Sequence, residues 1–232
     1  MTSDGTLRVH LVRHAETLFN LRHLVQGWCD SPLTPRGHRQ AAALGRHFAE
    51  VPLVAAYSSD LGRARATTSG ALAAHSDLDP VCLPELREWD FGGWEGRVGT
   101  DLWQPAFAAG GYDHRDREHW RELTGDGAAA MIDLIADSDP SGLAERSASV
   151  RARMSAAVAT ITRAVPEGDV LVMTHGAVLH SLVPALLPGA RVPGTFPNGG
   201  LVTITRARSG WSIGEVDSGC ALFDDVEEIV LP

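Results

Sequence analysis

The 232-residue chain contains no lysine, and all 20 of its basic residues are arginine. This excludes Schiff-base chemistry on a lysine amine and a P-loop lysine on a nucleotide phosphate. Guanidinium is left as the permanent side-chain cation, and its planar fork suits bidentate binding of phosphate. Cysteine is scarce. Cys29, Cys82 and Cys220 are far apart, odd in number and form no C-x-x-C pair, so neither a disulfide framework nor a cysteine zinc site is expected. Long apolar runs are missing, since no window approaches the roughly 18 residues that a membrane span requires. The opening "MTSDGT" lacks the basic and apolar regions of a secretory signal. A reducing cytoplasm is the expected compartment. Positive charge is also in deficit: a net charge of −9 argues against nucleic acid or an anionic membrane as the main partner. A local arginine cluster can still hold a small anion against that global sign.

What is present reads as one soluble domain spanning residues 1–232, with 44% hydrophobic and 21% charged residues, enough to bury a core without staples. Leu7 to Val12 is expected to be a strand. "SPLTPRGHRQAAALGRHFAE" opens a helix, with Thr34 as N-cap, Pro35 at the first helical position, and Ala41, Leu44 and Phe48 on one face. Strands are expected at 53–59 and 80–86, with Asp60 capping the helix between them. Residues 147–165 predict a long amphipathic helix with Val150, Met154, Ala157, Ile161 and Val165 in register. "DVLVMT" is nearly all apolar, as a strand buried on both faces should be. A helix from Ala177 to Leu187 and an antiparallel pair, "LVTITRA" and "WSIGEV", close the chain.

Strands alternating with helices predict an α/β three-layer sandwich, a mainly parallel sheet flanked by helices. The segment from about 97 to 146 breaks the rhythm and is expected to be a small helical cap or insertion over one end of the sheet. "DHRDREH" within it reads as a charged cap surface rather than a metal site, and no H-E-x-x-H is present. Trp94, Trp103 and Trp120 are expected to pack the cap.

Polar residues gather where the predicted strands end. Arg13 and His14 follow the first, Arg63 the second, Glu88 the third, and His175 with Gly176 the fourth. In an open parallel sheet those ends share one edge, where ligands bind. Two His, two Arg and one Glu suit phosphoryl transfer, which needs positioning and positive charge around three equatorial oxygens. A neutral imidazole can attack phosphorus, and a carboxylic acid with a raised pKa can protonate an alkoxide leaving group.

The motifs "LVRHAETLFN", "QGWCDSPLTPRGHRQA", "YSSDLGRARATT", "LREWDFGGWEG" and "MTHGAVLHSLV" occur in this order. Together they resemble the histidine phosphatase superfamily, the phosphoglycerate mutase-like family, over nearly the whole chain. Ala15 departs from the glycine that many members carry there. The resemblance implies that His14 is the nucleophile that becomes phosphohistidine and Glu88 the proton donor. It implies that Arg13, Arg63, His175 and Asn20 hold phosphoryl oxygens, that the backbone passes close to ligand at Gly27 and Gly176, and that Gln26 bears on specificity. The expected function is a phosphatase of a small phosphorylated metabolite, with no cofactor and no metal. The alternative is a cofactor-dependent phosphoglycerate mutase. Such mutases resemble this chain in the core but carry adjacent arginines after the acid. Here Arg115 and Arg117 are separated among acidic residues, which favours hydrolysis and leaves them as candidate specificity residues. A third reading, an inactive phospho-ligand binding module, is disfavoured by the intact His14, Arg63, Glu88 and His175.

Overall fold

The computed structural model describes residues 5–124, 128–190, 196–208 and 210–217. Strand β1 (Leu7–Arg13) leads through a short helix α1 (Leu18–Leu21) into α2 (Pro35–Phe48). Strand β2 (Leu53–Ser58), helix α3 (Gly62–Ala71) and strand β3 (Val81–Cys82) follow. Next come 3₁₀ turns at Pro84–Leu86 and Gly92–Trp94, then α4 (Gly99–Ala109), α5 (Arg117–Leu123) and α6 (Ala129–Ser138). The chain continues through α7 (Ser147–Ala164), β4 (Gly168–Thr174), α8 (Leu179–Leu186), β5 (Leu201–Ala207) and β6 (Gly210–Asp217). The sheet order is β3-β2-β4-β1-β5-β6. The four strands from β3 to β1 run parallel, and β5 and β6 close the sheet antiparallel.

The alternation of side chains along each strand builds two cores. Leu7, Val9 and Leu11 of β1 and Val170 and Val172 of β4 face a core shared with α4, α6, α7 and α8. Val12, Leu171 and Met173 face the other way, onto Leu44 and Phe48 of α2 and Ala64 and Ala71 of α3. The result is the α/β sandwich expected from the sequence, with β4 buried on both faces. Thr34 caps α2 by accepting from the Gly37 N–H, and Pro35 begins the helix. Residues Leu102, Ala106 and Phe107 of α4 sit in the first core rather than in one of their own. Trp103 and Trp120 pack edge to face, with ring centroids 5.0 Å apart. Among the described residues, no helix is long and apolar enough to cross a membrane.

Three local expectations need correction. The third strand does not run over 80–86. It stops at Cys82, one last ladder bond joins the Leu83 N–H to Ser58 O at 2.8 Å, and Pro84 then has no N–H to continue. Asp60 does not cap α3, whose N-cap, Leu61, makes no side-chain capping bond. Its carboxylate is taken bidentately by Arg87, at 2.7 and 2.5 Å. The helix expected from Ala177 to Leu187 runs from Leu179 to Leu186, and the Ala177 and Val178 N–H groups ahead of it point at a carboxylate discussed below.

Candidate active site

Parallel pairing of β1 with β4 sets Arg13 opposite Thr174. The next residues, His14 and His175, leave the sheet side by side with ring centroids 5.1 Å apart. The His14 N–H still donates to Thr174 O at 2.9 Å, so its backbone is held by the last rung of the ladder. His14 Nδ1 lies 2.8 Å from Ala15 O. A carbonyl can only accept, so Nδ1 carries the proton and Nε2 keeps its lone pair. The Arg63 Nε–H points at that Nε2 from 3.3 Å.

Arg63 projects from the first turn of α3 and is only 1% exposed. Its Nη1 donates to Cys29 O at 2.9 Å and Asp30 Oδ1 at 3.1 Å, and its Nη2 to Gly27 O at 2.6 Å. The loop that supplies these acceptors is itself tied down by Glu95. That carboxylate accepts from the N–H groups of Gly27 at 3.0 Å, Trp28 at 2.8 Å and Cys29 at 3.2 Å. Crowding around Gly27 is internal to the protein: a Cβ there would lie 2.1 Å from Trp89 O and 2.3 Å from Glu95 Oε1. Gly176 serves a different neighbour. A Cβ there would stand 3.0 Å from both Cζ and Nε of Arg13, so glycine makes room for that guanidinium.

Arg13 donates through Nη1 to Phe196 O. Its buried Nε has no hydrogen-bond partner, and neither ring nitrogen of the fully buried His175 has one. Glu88, 5% exposed, accepts from the N–H groups of Trp89 and Val178 through Oε1, at 3.0 and 2.7 Å, and from Ala177 through Oε2, at 2.9 Å. Asn20 joins the edge of the cluster. Its Oδ1 accepts from Asn198 Nδ2 at 3.1 Å, which also donates to His14 O at 3.0 Å. Gln26 is occupied within the protein, accepting from Thr17 Oγ1 at 2.7 Å and donating to Ser31 Oγ at 3.0 Å.

Burial dominates the electrostatics. It holds the His14 and His175 imidazoles well below their ordinary range, with Arg63 adding to the effect. It lowers Arg13 to about 10, which leaves the group charged at neutral pH. It raises Glu88 against the opposing pull of backbone N–H donors, Arg63 and Arg13. The site therefore presents two guanidiniums, two neutral imidazoles and one carboxyl biased toward protonation. Its buried N–H donors without protein partners fit an incoming anion.

Arg115 and Arg117 are not brought into this cluster. Both are exposed, on the α4–α5 connection and the first turn of α5. The "DHRDREH" run folds as a helix start, where Asp116 accepts from the Glu118 N–H at 2.8 Å. Among the described residues, no group of three or more His, Cys, Asp or Glu side chains is placed to hold a metal ion. Sequence reasoning passed over Asn198, Glu95, Glu145 and Arg153. Only Glu95 lay inside a quoted motif, "LREWDFGGWEG", where nothing local marks its reach to residues 27–29.

The chain belongs to the histidine phosphatase superfamily (branch 1), whose pattern it matches over residues 9–218. It is 32% identical to the "Probable phosphoglycerate mutase GpmB" of Escherichia fergusonii over 183 residues, 78% of this chain and 75% of that one. The crystal structure of phosphoglycerate mutase from Bacillus anthracis superposes with a TM-score of 0.82 at 30% identity, covering 92% of this chain and 94% of that one. The vanadate (VO3) complex of mycobacterial glucosyl-3-phosphoglycerate phosphatase superposes with a TM-score of 0.70 at 25% identity, covering 90% and 98%. Similar proteins thus carry both mutase and phosphatase names.

Proposed function

We propose that this protein is a phosphatase of a small phosphate monoester and works through a phosphohistidine at His14. The observation that carries this reading is the set of buried nitrogens around His14 Nε2. Arg13 Nε and both ring nitrogens of His175 lack protein partners, and Arg63 Nε already faces the nucleophilic lone pair. In the first step His14 Nε2 attacks phosphorus, the P–O bond to the alcohol breaks, and its electron pair leaves as an alkoxide that takes the Glu88 proton. Arg13, Arg63, His175 and Asn20 hold the phosphoryl oxygens. In the second step the Glu88 carboxylate takes a proton from water, whose oxygen attacks phosphorus and releases inorganic phosphate from His14. The Nδ1–H bond to Ala15 O stays in place throughout and fixes the tautomer.

Mutase chemistry is the second reading, supported by the names of the relatives at 32% and 30% identity. It uses the same first step but returns the phosphoryl group to bound product. The separation and exposure of Arg115 and Arg117 favour hydrolysis. Incubation with 3-phosphoglycerate decides between them: net phosphate release supports hydrolysis, whereas 2-phosphoglycerate without phosphate release supports the mutase. With p-nitrophenyl phosphate, the wild-type protein is expected to accumulate acid-labile, base-stable protein-bound phosphate on rapid quenching, and the His14→Ala variant none. Chelator is expected to leave the rate unchanged. Base-stable phosphate on the variant would sink the assignment, and a rate lost to EDTA and restored by a divalent ion would overturn metal independence.

A further inference from the structure

We propose that Arg153 and Glu145 are positioning residues for the general acid, a clamp that fixes the Glu88 backbone from the far side of its loop. The inference rests on Glu88 acting as the acid of the reaction proposed above. Arg153 rises from α7 with its side chain 13% exposed. A guanidinium has five N–H donors in a rigid fork, and here each has a partner. Nε donates to Glu145 Oε1 at 2.9 Å. Nη1 donates to Glu85 O at 2.9 Å and Arg87 O at 2.6 Å. Nη2 donates to Glu88 O at 2.9 Å and Glu145 Oε2 at 2.8 Å.

Three carbonyls within four residues thus turn to one cation on one side of the loop. On the other side, the Glu88 carboxylate is received by the Ala177 and Val178 N–H groups. Glu145 holds the downstream flank too. Its Oε2 accepts from the Asp90 N–H at 3.1 Å, and its own N–H donates to Asp90 O at 3.0 Å. The acid is therefore fixed at its own carbonyl and on both sides, by a pair that does not belong to the cluster of groups facing phosphorus. Lysine cannot reproduce this, because a point ammonium with three donors cannot span three carbonyls and a bidentate carboxylate. In Glu145→Gln an amide NH₂ must share the face that receives Arg153, which weakens the clamp by a smaller step.

The test separates positioning of the acid from general support of the fold. Arg153→Lys and Glu145→Gln are assayed with p-nitrophenyl phosphate, whose leaving group needs little protonation, and with β-glycerophosphate, whose alkoxide needs a proton. Glu88→Gln serves as the reference. A displaced acid costs on the order of 10- to 100-fold in kcat/KM for the alkyl ester but under about threefold for the aryl ester. Inhibition by inorganic phosphate, which reads the anion cluster, stays unchanged. Glu145→Gln shows the same selectivity with a smaller loss. Equal losses on both esters, no loss on either, or failure of both variants to fold overturns the inference. Leaving-group selectivity in Glu88→Gln without it in either clamp variant overturns the inference alone. A wild-type protein with no turnover, or a Glu88→Gln variant with no selectivity, removes the reading of Glu88 and the clamp with it.

Discussion

His10 and His14 stand four residues apart, on and just past the same strand, and both are buried. Burial lowers the pKa of each. Around His10 every group is answered. Nδ1 pairs with Thr203 Oγ1 at 2.9 Å, Nε2 with Asp169 Oδ1 at 2.8 Å, and Asp169 takes Arg8 bidentately at 2.7 and 2.6 Å. Around His14 and His175 the same residue types, histidine, arginine and carboxylate, leave donors unanswered. A buried polar group without a partner costs about 1–3 kcal/mol, so the molecule gives up stability at the sheet edge and not in mid-sheet. A closed network holds strands together. An open one, at the carboxyl ends of parallel strands, is arranged for a ligand.

The largest effect that could break this contrast comes from exchanging the roles of the two histidines. His14→Ala is expected to lower turnover by at least about 10⁴-fold, because the covalent step is lost, and to cost about 1–3 kcal/mol, since the buried Arg63 Nε–H loses its acceptor. His10→Ala is expected to keep kcat/KM within about threefold while costing about 1–3 kcal/mol, since Thr203 and one Asp169 contact lose their partner. Turnover and urea unfolding of both variants check this. A His10→Ala protein that is stable but inactive would erase the distinction.

A smaller effect appears in the pH dependence of stability. The folded-state values of His10, His14 and His175 all lie below 6.5. As pH falls below 6.5 the unfolded chain binds more protons than the folded one, so stability declines, by at most about 1.4 kcal/mol per pH unit for each group. Glu88 has the opposite sign. Its folded pKa is raised above 4.5, so its contribution is full below 4.5 and is lost as pH rises through the folded value. Glu88→Gln should therefore steepen the decline on the acid side, and His10→Ala should flatten it. Saturating inorganic phosphate should flatten only the share of His14 and His175, because an anion favours their charged forms. Chemical unfolding across pH 4.5 to 7.5, with and without phosphate, measures each share. Phosphate that cancels the His10 share would show that the two networks are one.

Much of this arrangement was legible because it is local. The alternation of Leu7, Val9 and Leu11 fixes the strand and delivers Arg13 and His14 to its end. The Thr34-Pro35 signal starts α2 where the structure has it. What was not legible depends on distant partners. Asp60 had the right identity for a cap, but Arg87 competes for it with a bidentate charge pair. Gly27 read as a place for ligand, while the demand for glycine comes from Trp89 O, which no spacing along the chain could announce. Arg153 and Glu145 lie in an amphipathic helix and its approach, where each alone looks like a solvated charge. Only the tertiary structure shows that three of the five Arg153 bonds reach the loop carrying Glu88 and the other two hold Glu145.

The smallest expected effect concerns the exposed arginines of the α4–α5 region, which sharpen the contrast between the buried cluster around His14 and a solvated periphery. Arg115 and Arg117 lie on the surface, and p-nitrophenyl phosphate is too small to need more than the core. Arg115→Ala and Arg117→Ala should therefore change its kcat/KM by less than about twofold. For a larger ester with an anionic tail long enough to reach them, an exposed charge pair is weak and screened by salt. The loss on such an ester should be no more than about fivefold at low ionic strength and should fade as salt is added. Kinetics on both esters across a salt series test this. Equal, salt-resistant losses on the two would bring these arginines to the phosphoryl group itself and move the balance toward the mutase. No loss on either would leave "DHRDREH" as the charged beginning of a surface helix, with Asp116 capping α5 as its whole contribution.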